Sequence, residues 1–136
     1  MKLIQLSLLA MTALSLSAAA DEPKAAPQPV RTILERHDQS GVAGKEIVIG
    51  TAALPAGSSI GFHTHPGDEA GYVLKGPLIL KVRGQPDRTL KTGESFFNPR
   101  GAVHSVMPGP GADAMAVSSW IVDKGQPLAT PAPAAP

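Results

Sequence analysis

The chain contains no cysteine among its 136 residues. That excludes disulfide cross-links, thiolate catalysis and any metal held by sulfur. Aromatic side chains are scarce, with one Trp, one Tyr and three Phe. Phe62, Tyr72, Phe96, Phe97 and Trp120 read as core or subunit-interface packing rather than as a stacking box for a substrate. An excess of charge of one sign is missing too. Without residues 1–20 the chain loses Lys2 and no acidic residue, which leaves eleven basic and eleven acidic side chains. No basic stripe or polybasic tail exists, so nucleic-acid or anionic-membrane binding has no electrostatic support. Long helices have little room among 14 Gly and 14 Pro, because each tends to end or weaken a helix.

The one extended apolar run lies at the start. Lys2 is followed by an apolar stretch from Leu3 to Leu16, then by Ala18-Ala19-Ala20 before Asp21. This is the layout of a signal peptide, residues 1–20, with cleavage after Ala20 and delivery to the periplasm or the exterior. The run is short for a membrane span, and no later segment is long enough to be one. Residues 21–30 form a Pro/Ala-rich linker, and residues 127–136 are almost entirely Pro and Ala. Both bury too little apolar surface to offset ordering entropy, so the expectation is a folded domain over residues 31–126 and a disordered tail.

Within the domain the pattern is all strands. Glu46–Thr51, Ser59–Thr64, Tyr72–Leu74, Leu78–Val82, Thr89–Lys91, Ser95–Phe97, Val103–Met107 and Met115–Val122 are short and rich in β-branched or alternating residues. Turn residues recur at Gly41, Pro55-Ala56-Gly57, Pro66-Gly67, Gly76-Pro77, Gly84-Gln85-Pro86, Gly93, Pro99-Arg100-Gly101 and Pro108-Gly109-Pro110-Gly111. That punctuation predicts an all-β sandwich or barrel. Only residues 31–38 offer a weak helical alternative.

Two short segments carry chemistry. His63 and His65 are separated by one residue and share a face of an extended strand. Glu69 follows the Pro66-Gly67 turn and can swing back toward them, and His104 follows Pro99-Arg100-Gly101. Three imidazoles and one carboxylate are a ligand set for one divalent transition metal, at roughly 2.0–2.2 Å per bond for zinc. A hydrogen-bonded strand pair without metal is the alternative for His63 and His65. His37, between Arg36 and Asp38, reads as a solvated surface residue. Asp68 and Arg100 read as turn charges near the mouth of the site.

In spacing, Gly57, five residues, His63-x-His65, three residues, Glu69, six residues and Gly76 resemble the first motif of the cupin superfamily. Gly93, five residues, Pro99-x-Gly101, two residues and His104 resemble the second. The resemblance covers about residues 45–122 and implies a double-stranded β-helix, or jelly-roll barrel, with a metal inside near one end. It implies His63, His65, Glu69 and His104 as ligands of one Mn, Fe, Ni, Cu or Zn ion. One departure stands out: the second motif usually ends in Asn four residues after its His, and here that residue is Pro108. The expected inner-face neighbours, Gly61, Gly71, Val73, Val106 and Pro108, are small or apolar, and no second acid or base is evident. Proton transfer would therefore fall to Glu69 as general base or to a metal-bound hydroxide.

The family supports enzymes and binding domains alike. The first reading is an exported dioxygenase-type enzyme acting on a small phenolic, enolic or carbonyl substrate. The alternative is an extracytoplasmic module that binds a metal or small ligand without turnover. Outward apolar positions such as Phe62, Tyr72 and Leu74 add the expectation of a homodimer. Native protein is expected to begin at Asp21 outside the cytoplasm. N-terminal sequencing that still reads Met1 would refute that.

Overall fold

The structure, a computed structural model, describes residues 25–134. The proposed signal peptide, residues 1–20, lies outside them. Residues 25–29 have no regular structure, and the strands follow as β1 (Val30–Asp38), β2 (Lys45–Leu54), β3 (Ile60–Thr64), β4 (Gly67–Lys75), β5 (Leu78–Val82), β6 (Arg88–Leu90), β7 (Ser95–Asn98), β8 (His104–Pro108), β9 (Ala114–Asp123) and β10 (Thr130–Pro131). No helix occurs among the described residues. One five-stranded sheet runs β1-β2-β9-β4-β7 and the other β10-β3-β8-β5-β6. Every pairing is antiparallel, and the fold is the all-β double-stranded β-helix expected.

Alternation builds the core. In β4 the odd-numbered residues Gly67, Glu69, Gly71 and Val73 are buried, while Asp68, Ala70, Tyr72 and Leu74 face out. The facing sheets enclose Leu54, Val73, Leu78, Leu80, Leu90, Phe96, Ala114 and Ala116, and full burial of each large aliphatic side chain contributes about 1.5–3 kcal/mol. A smaller cluster of Val48, Trp120 and Val122 takes in Leu128 from beyond β9. Phe96 and Trp120 are core residues as expected, whereas Tyr72 and Phe97 are exposed on the outer face of the first sheet.

In strand assignment and facing, the structure departs from the sequence reading at four points. Residues 31–38 form the edge strand β1, paired along β2, and not a helix. Gly61 is exposed rather than interior: β3 carries a bulge between Ile60 and His63, spanning three steps opposite the two from Val106 to His104. One extra residue reverses the alternation, so Ile60 and His63 both face inward. Pro108 is buried opposite Leu78, remote from the histidine cluster. Finally, the segment expected to be a disordered tail is docked in part. Thr130 pairs with Thr64, Pro131 pairs with His63, and the Ala132 N–H donates to the Phe62 carbonyl at 2.9 Å.

Gly67 starts β4 directly against β9. A Cβ there would lie 1.9 Å from the Ile121 carbonyl oxygen, a backbone atom that no side-chain motion can clear. Gly67→Ala is expected to destabilise the fold by about 3 kcal/mol and to lower Tm by on the order of 10 °C. Gly61→Ala, with nothing within 4 Å of the added atom, should stay within about 0.5 kcal/mol of the parent. Equal melting curves for the two variants would contradict this packing.

Candidate metal centre

Two rows of cross-strand neighbours meet at the site. Across the first sheet, Val48, Trp120, Glu69 and Asn98 are successive partners on β2, β9, β4 and β7. Across the second, Pro131, His63, His104 and Val82 are successive partners on β10, β3, β8 and β5. His65 lies one residue beyond the end of β3. Register thus brings residues distant in sequence to one point between the sheets.

The three imidazoles are buried, with ring centroids 4.3 Å apart for His63 and His104, 4.9 Å for His63 and His65, and 5.0 Å for His65 and His104. One ring nitrogen from each lies within 4.8 Å of the others. Three nitrogens each about 2.1 Å from one cation lie roughly 3.0–3.6 Å apart, so binding would draw the rings together by on the order of 1 Å. The opposite nitrogens are all taken. His63 Nδ1 donates to the Gly61 carbonyl at 2.8 Å, His104 Nδ1 to Ala102 at 2.9 Å, and His65 Nδ1 to Leu128 at 2.6 Å. A carbonyl only accepts, so each Nδ1 carries the hydrogen and each neutral ring turns an Nε2 lone pair inward.

Glu69 reaches the same point. Its Oε2 lies 3.1 Å from His104 Nε2 and 3.3 Å from His65 Nε2. It also accepts a 2.8 Å hydrogen bond from the Asn98 side-chain amide. His65 Nε2 nonetheless has no hydrogen-bond partner. A lone pair facing a carboxylate repels unless a proton or a cation lies between them. Burial drives the His63 pKa down to about 4, against the hydrogen bond to Gly61 and helped by the charges of His104, His65 and Arg31. His63 is therefore neutral near pH 7, the state a metal ligand needs. Burial alone would raise the Glu69 carboxyl; hydrogen bonds from His104 and His65, which act only with a proton at Nε2, and from Asn98 hold it well below the usual carboxylate range. Three inward nitrogens, one ionised carboxylate and an orphaned Nε2 fit a divalent cation without sulfur preference.

The space beside these groups is small, about 30 Å³, walled by Ala52, Leu54, Ile60, Phe96, Val106 and Ala116. At the roughly 10–15 Å³ a water needs on this measure, it takes about two water-sized guests. Gly71 and Val73 do not wall it. Phe96 overlies Gly71, where a Cβ would lie 2.0 Å from the ring, and Val73 is in the core. Arg31 and Ser118 also border the cavity, and Glu69 is its one carboxylate among the described residues. His37 is on the surface, 2.9 Å from Glu35, as expected. Asp68 and Arg100 do not line the cavity and instead tie turns together: the Arg100 N–H donates to Asp68 at 2.9 Å, and its guanidinium binds the Pro66 carbonyl at 2.7 Å and pairs with Asp123.

Three participants escaped the sequence reading. Asn98 supplies the side-chain amide that Pro108 cannot; its place two residues after inward Phe96 was the available signal. Arg31 comes from a strand not recognised as one. The Leu128 carbonyl, a backbone group in a segment expected to be unstructured, has no signal in sequence.

A family model described as a cupin domain matches residues 50–122, more than half of the chain. With the barrel and the histidine cluster in place, the chain belongs to the cupin family. Among curated proteins it is 36% identical over 52 residues to the dimethylsulfoniopropionate lyase DddQ of Ruegeria pomeroyi, covering 38% of this chain and 26% of the lyase. It is 34% identical over 85 residues to the auxin-binding protein ABP19a of Prunus persica, covering 59% and 41%. The chain thus spans less than half the length of either relative. Among solved structures, a cupin-like protein of Thermotoga maritima superposes with a TM-score of 0.63 at 22% identity, covering 76% of this chain and 75% of that one. The DddQ structure gives 0.62 at 23% identity, covering 76% and 51%. A recombinant oxalate oxidase in complex with glycolate gives 0.59 at 24%, covering 76% and 54%. These likenesses establish the fold.

Asn98→Ala removes the donor that orients Glu69 and leaves the histidines in place. It is expected to weaken metal binding about 10- to 100-fold with the fold retained. The single Trp, Trp120, sits edge-on to His65 at 5.7 Å and reports binding by its fluorescence. An Asn98→Ala titration that overlays the parent would count against this role.

Proposed function

We propose that this chain is an exported, metal-dependent enzyme of the dioxygenase type that acts on a small organic substrate at a centre held by His63, His65, Glu69 and His104. The observation that carries this reading is the clustering of three buried imidazoles, two of them with Nε2 within 3.3 Å of the buried Glu69 carboxylate, with every Nδ1 engaged by a backbone carbonyl. When bound, the metal supplies Lewis acidity, and with a redox-active ion electron transfer to oxygen. The protein's own part is to hold the ligands, exclude water with apolar walls and keep a base in reach. Glu69, steered by Asn98, is the group positioned to take up a proton.

Size narrows the substrate. A cavity for about two waters has no room for an aromatic ring, so phenolic substrates fit less well than compact enolic or carbonyl ones. Any larger part of the molecule must leave past His63 and Arg31, whose guanidinium favours a carboxylate. The neighbours suit that class: DddQ is named for a propionate, and the oxalate oxidase holds glycolate. The second reading, a ligand-binding module, is favoured by one observation: a carboxyl held well below its usual pKa is a weak base. The proposal includes a homodimer formed through the outer face of the first sheet, where Ile47, Ile49, Tyr72, Leu74, Phe97 and Ile121 are exposed.

Protein recovered from the exported fraction is expected to hold one transition metal per chain by elemental analysis and to give a dimer mass in light scattering. It should consume oxygen with a small hydroxy acid or diketone. His63→Ala, His65→Ala or His104→Ala should empty the site. Glu69→Gln should bind metal more weakly and lose turnover, and His37→Ala should change neither. Tight ligand binding without turnover across the panel would select the module; wild-type protein that takes up no metal would reject the enzyme and any metal-binding module.

A further inference from the structure

We infer that the C-terminal segment Leu128–Ala132 is a working part of the metal centre: the Leu128 carbonyl positions His65, and docking of the segment is coupled to metal occupancy. This rests on the metal reading above. The three Nδ1 bonds differ in origin. His63 and His104 donate to carbonyls two residues back in their own chain, Gly61 and Ala102. Those acceptors travel with the ligand wherever it goes. His65 instead donates to a carbonyl 63 residues away in sequence, at 2.6 Å, the shortest of the three. Its orientation exists only while the C-terminal segment is docked.

The segment is held by few contacts. Thr130 and Pro131 pair with Thr64 and His63, the Ala132 N–H donates to Phe62, and the Arg83 guanidinium binds the Pro133 carbonyl. The Leu128 side chain packs with Val48, Trp120 and Val122, and Trp120 in turn sits edge-on to the His65 ring at 5.7 Å. A two-residue strand at a sheet edge opens at low free-energy cost. Pro127, Pro131 and Pro133 limit the freedom lost when it closes. Ala129 and Pro131 also wall the groove that runs outward past His63 and Arg31. When the segment is open, the His65 Nδ1–H loses its acceptor and the ring is free to adopt the other tautomer, which turns an N–H toward the cation. Linkage makes the effect reciprocal: the factor by which docking tightens metal binding is the factor by which metal tightens docking.

The test uses full-length mature protein, a truncation lacking residues 127–136, Ala132→Pro, which removes the N–H given to Phe62 and keeps Leu128, and a control lacking residues 135–136. Zinc affinity, read by competition with a chromophoric chelator, should fall about 10- to 100-fold on truncation, less for Ala132→Pro, and not at all for the control. Ring-nitrogen NMR of metal-free protein should show His65 protonated at Nδ1 in the full chain and as mixed tautomers in the truncation. Zinc should raise hydrogen-exchange protection of the Ala132 amide by the factor lost in affinity. A folded truncation with parental zinc affinity and an unchanged His65 tautomer overturns the proposal. If the truncation does not fold, an Ala132 amide whose protection ignores zinc overturns it. Should wild-type protein bind neither zinc nor Mn, Fe, Ni or Cu, the metal reading fails by itself, and the metal-free tautomer comparison still decides the Leu128–His65 bond.

Discussion

A buried carboxylate facing imidazole lone pairs is the constraint around which this barrel is organised. Glu69 is buried on a strand whose neighbouring inward positions are Gly67, Gly71 and Val73, and an unpaired charge there costs several kcal/mol. Asn98 satisfies one oxygen, and the imidazoles approach the same oxygen. Because their Nδ1 atoms already donate to carbonyls, they cannot also donate from Nε2 while neutral. Two states relieve the conflict: imidazolium, or a cation among the lone pairs. Burial opposes imidazolium at His63, and a cation among the lone pairs relieves the conflict for all three rings at once.

The same constraint explains the apolar surroundings. Ala52, Leu54, Phe96 and Ala116 keep bulk water from the cluster, which strengthens each electrostatic contact within it. They also leave the site dependent on a few polar partners. Asn98, Ala102, Gly61 and Leu128 each supply one hydrogen bond, and three of those four come from backbone carbonyls. Small errors in strand register would remove them. The bulge in β3 is therefore functional geometry: it turns Gly61 outward while its carbonyl still reaches His63, and it turns Ile60 into the wall.

Stability and function are divided unevenly over the barrel. The cluster of Leu54, Val73, Leu78, Leu80, Leu90 and Phe96 is enclosed on all sides and carries the fold. The histidine end is closed by Trp120 and by a short docked segment with few bonds. Such an arrangement lets the mouth change without loosening the core, since local opening draws on local contacts.

Residue type and spacing by themselves determined the class of this protein. Frequent Gly and Pro between short alternating runs left no architecture but an all-β one, and His63, His65, Glu69 and His104 stood out because ligands near a strand and its turn must recur at fixed intervals. The aromatic residues read as core or interface packing, and Phe96 and Trp120 are indeed buried. What the sequence could not convey depends on register and on backbone atoms. A one-residue bulge reverses which side chains face inward, so Gly61 was misplaced and Ile60 overlooked. Pro108 marked the loss of a familiar amide, yet cross-strand pairing of β4 with β7 supplies one from Asn98. Arg31 reaches the mouth only because β1 pairs along β2. The Leu128 carbonyl is a group every residue possesses, and only tertiary docking of a Pro/Ala-rich segment gives it a role, by placing it 2.6 Å from His65.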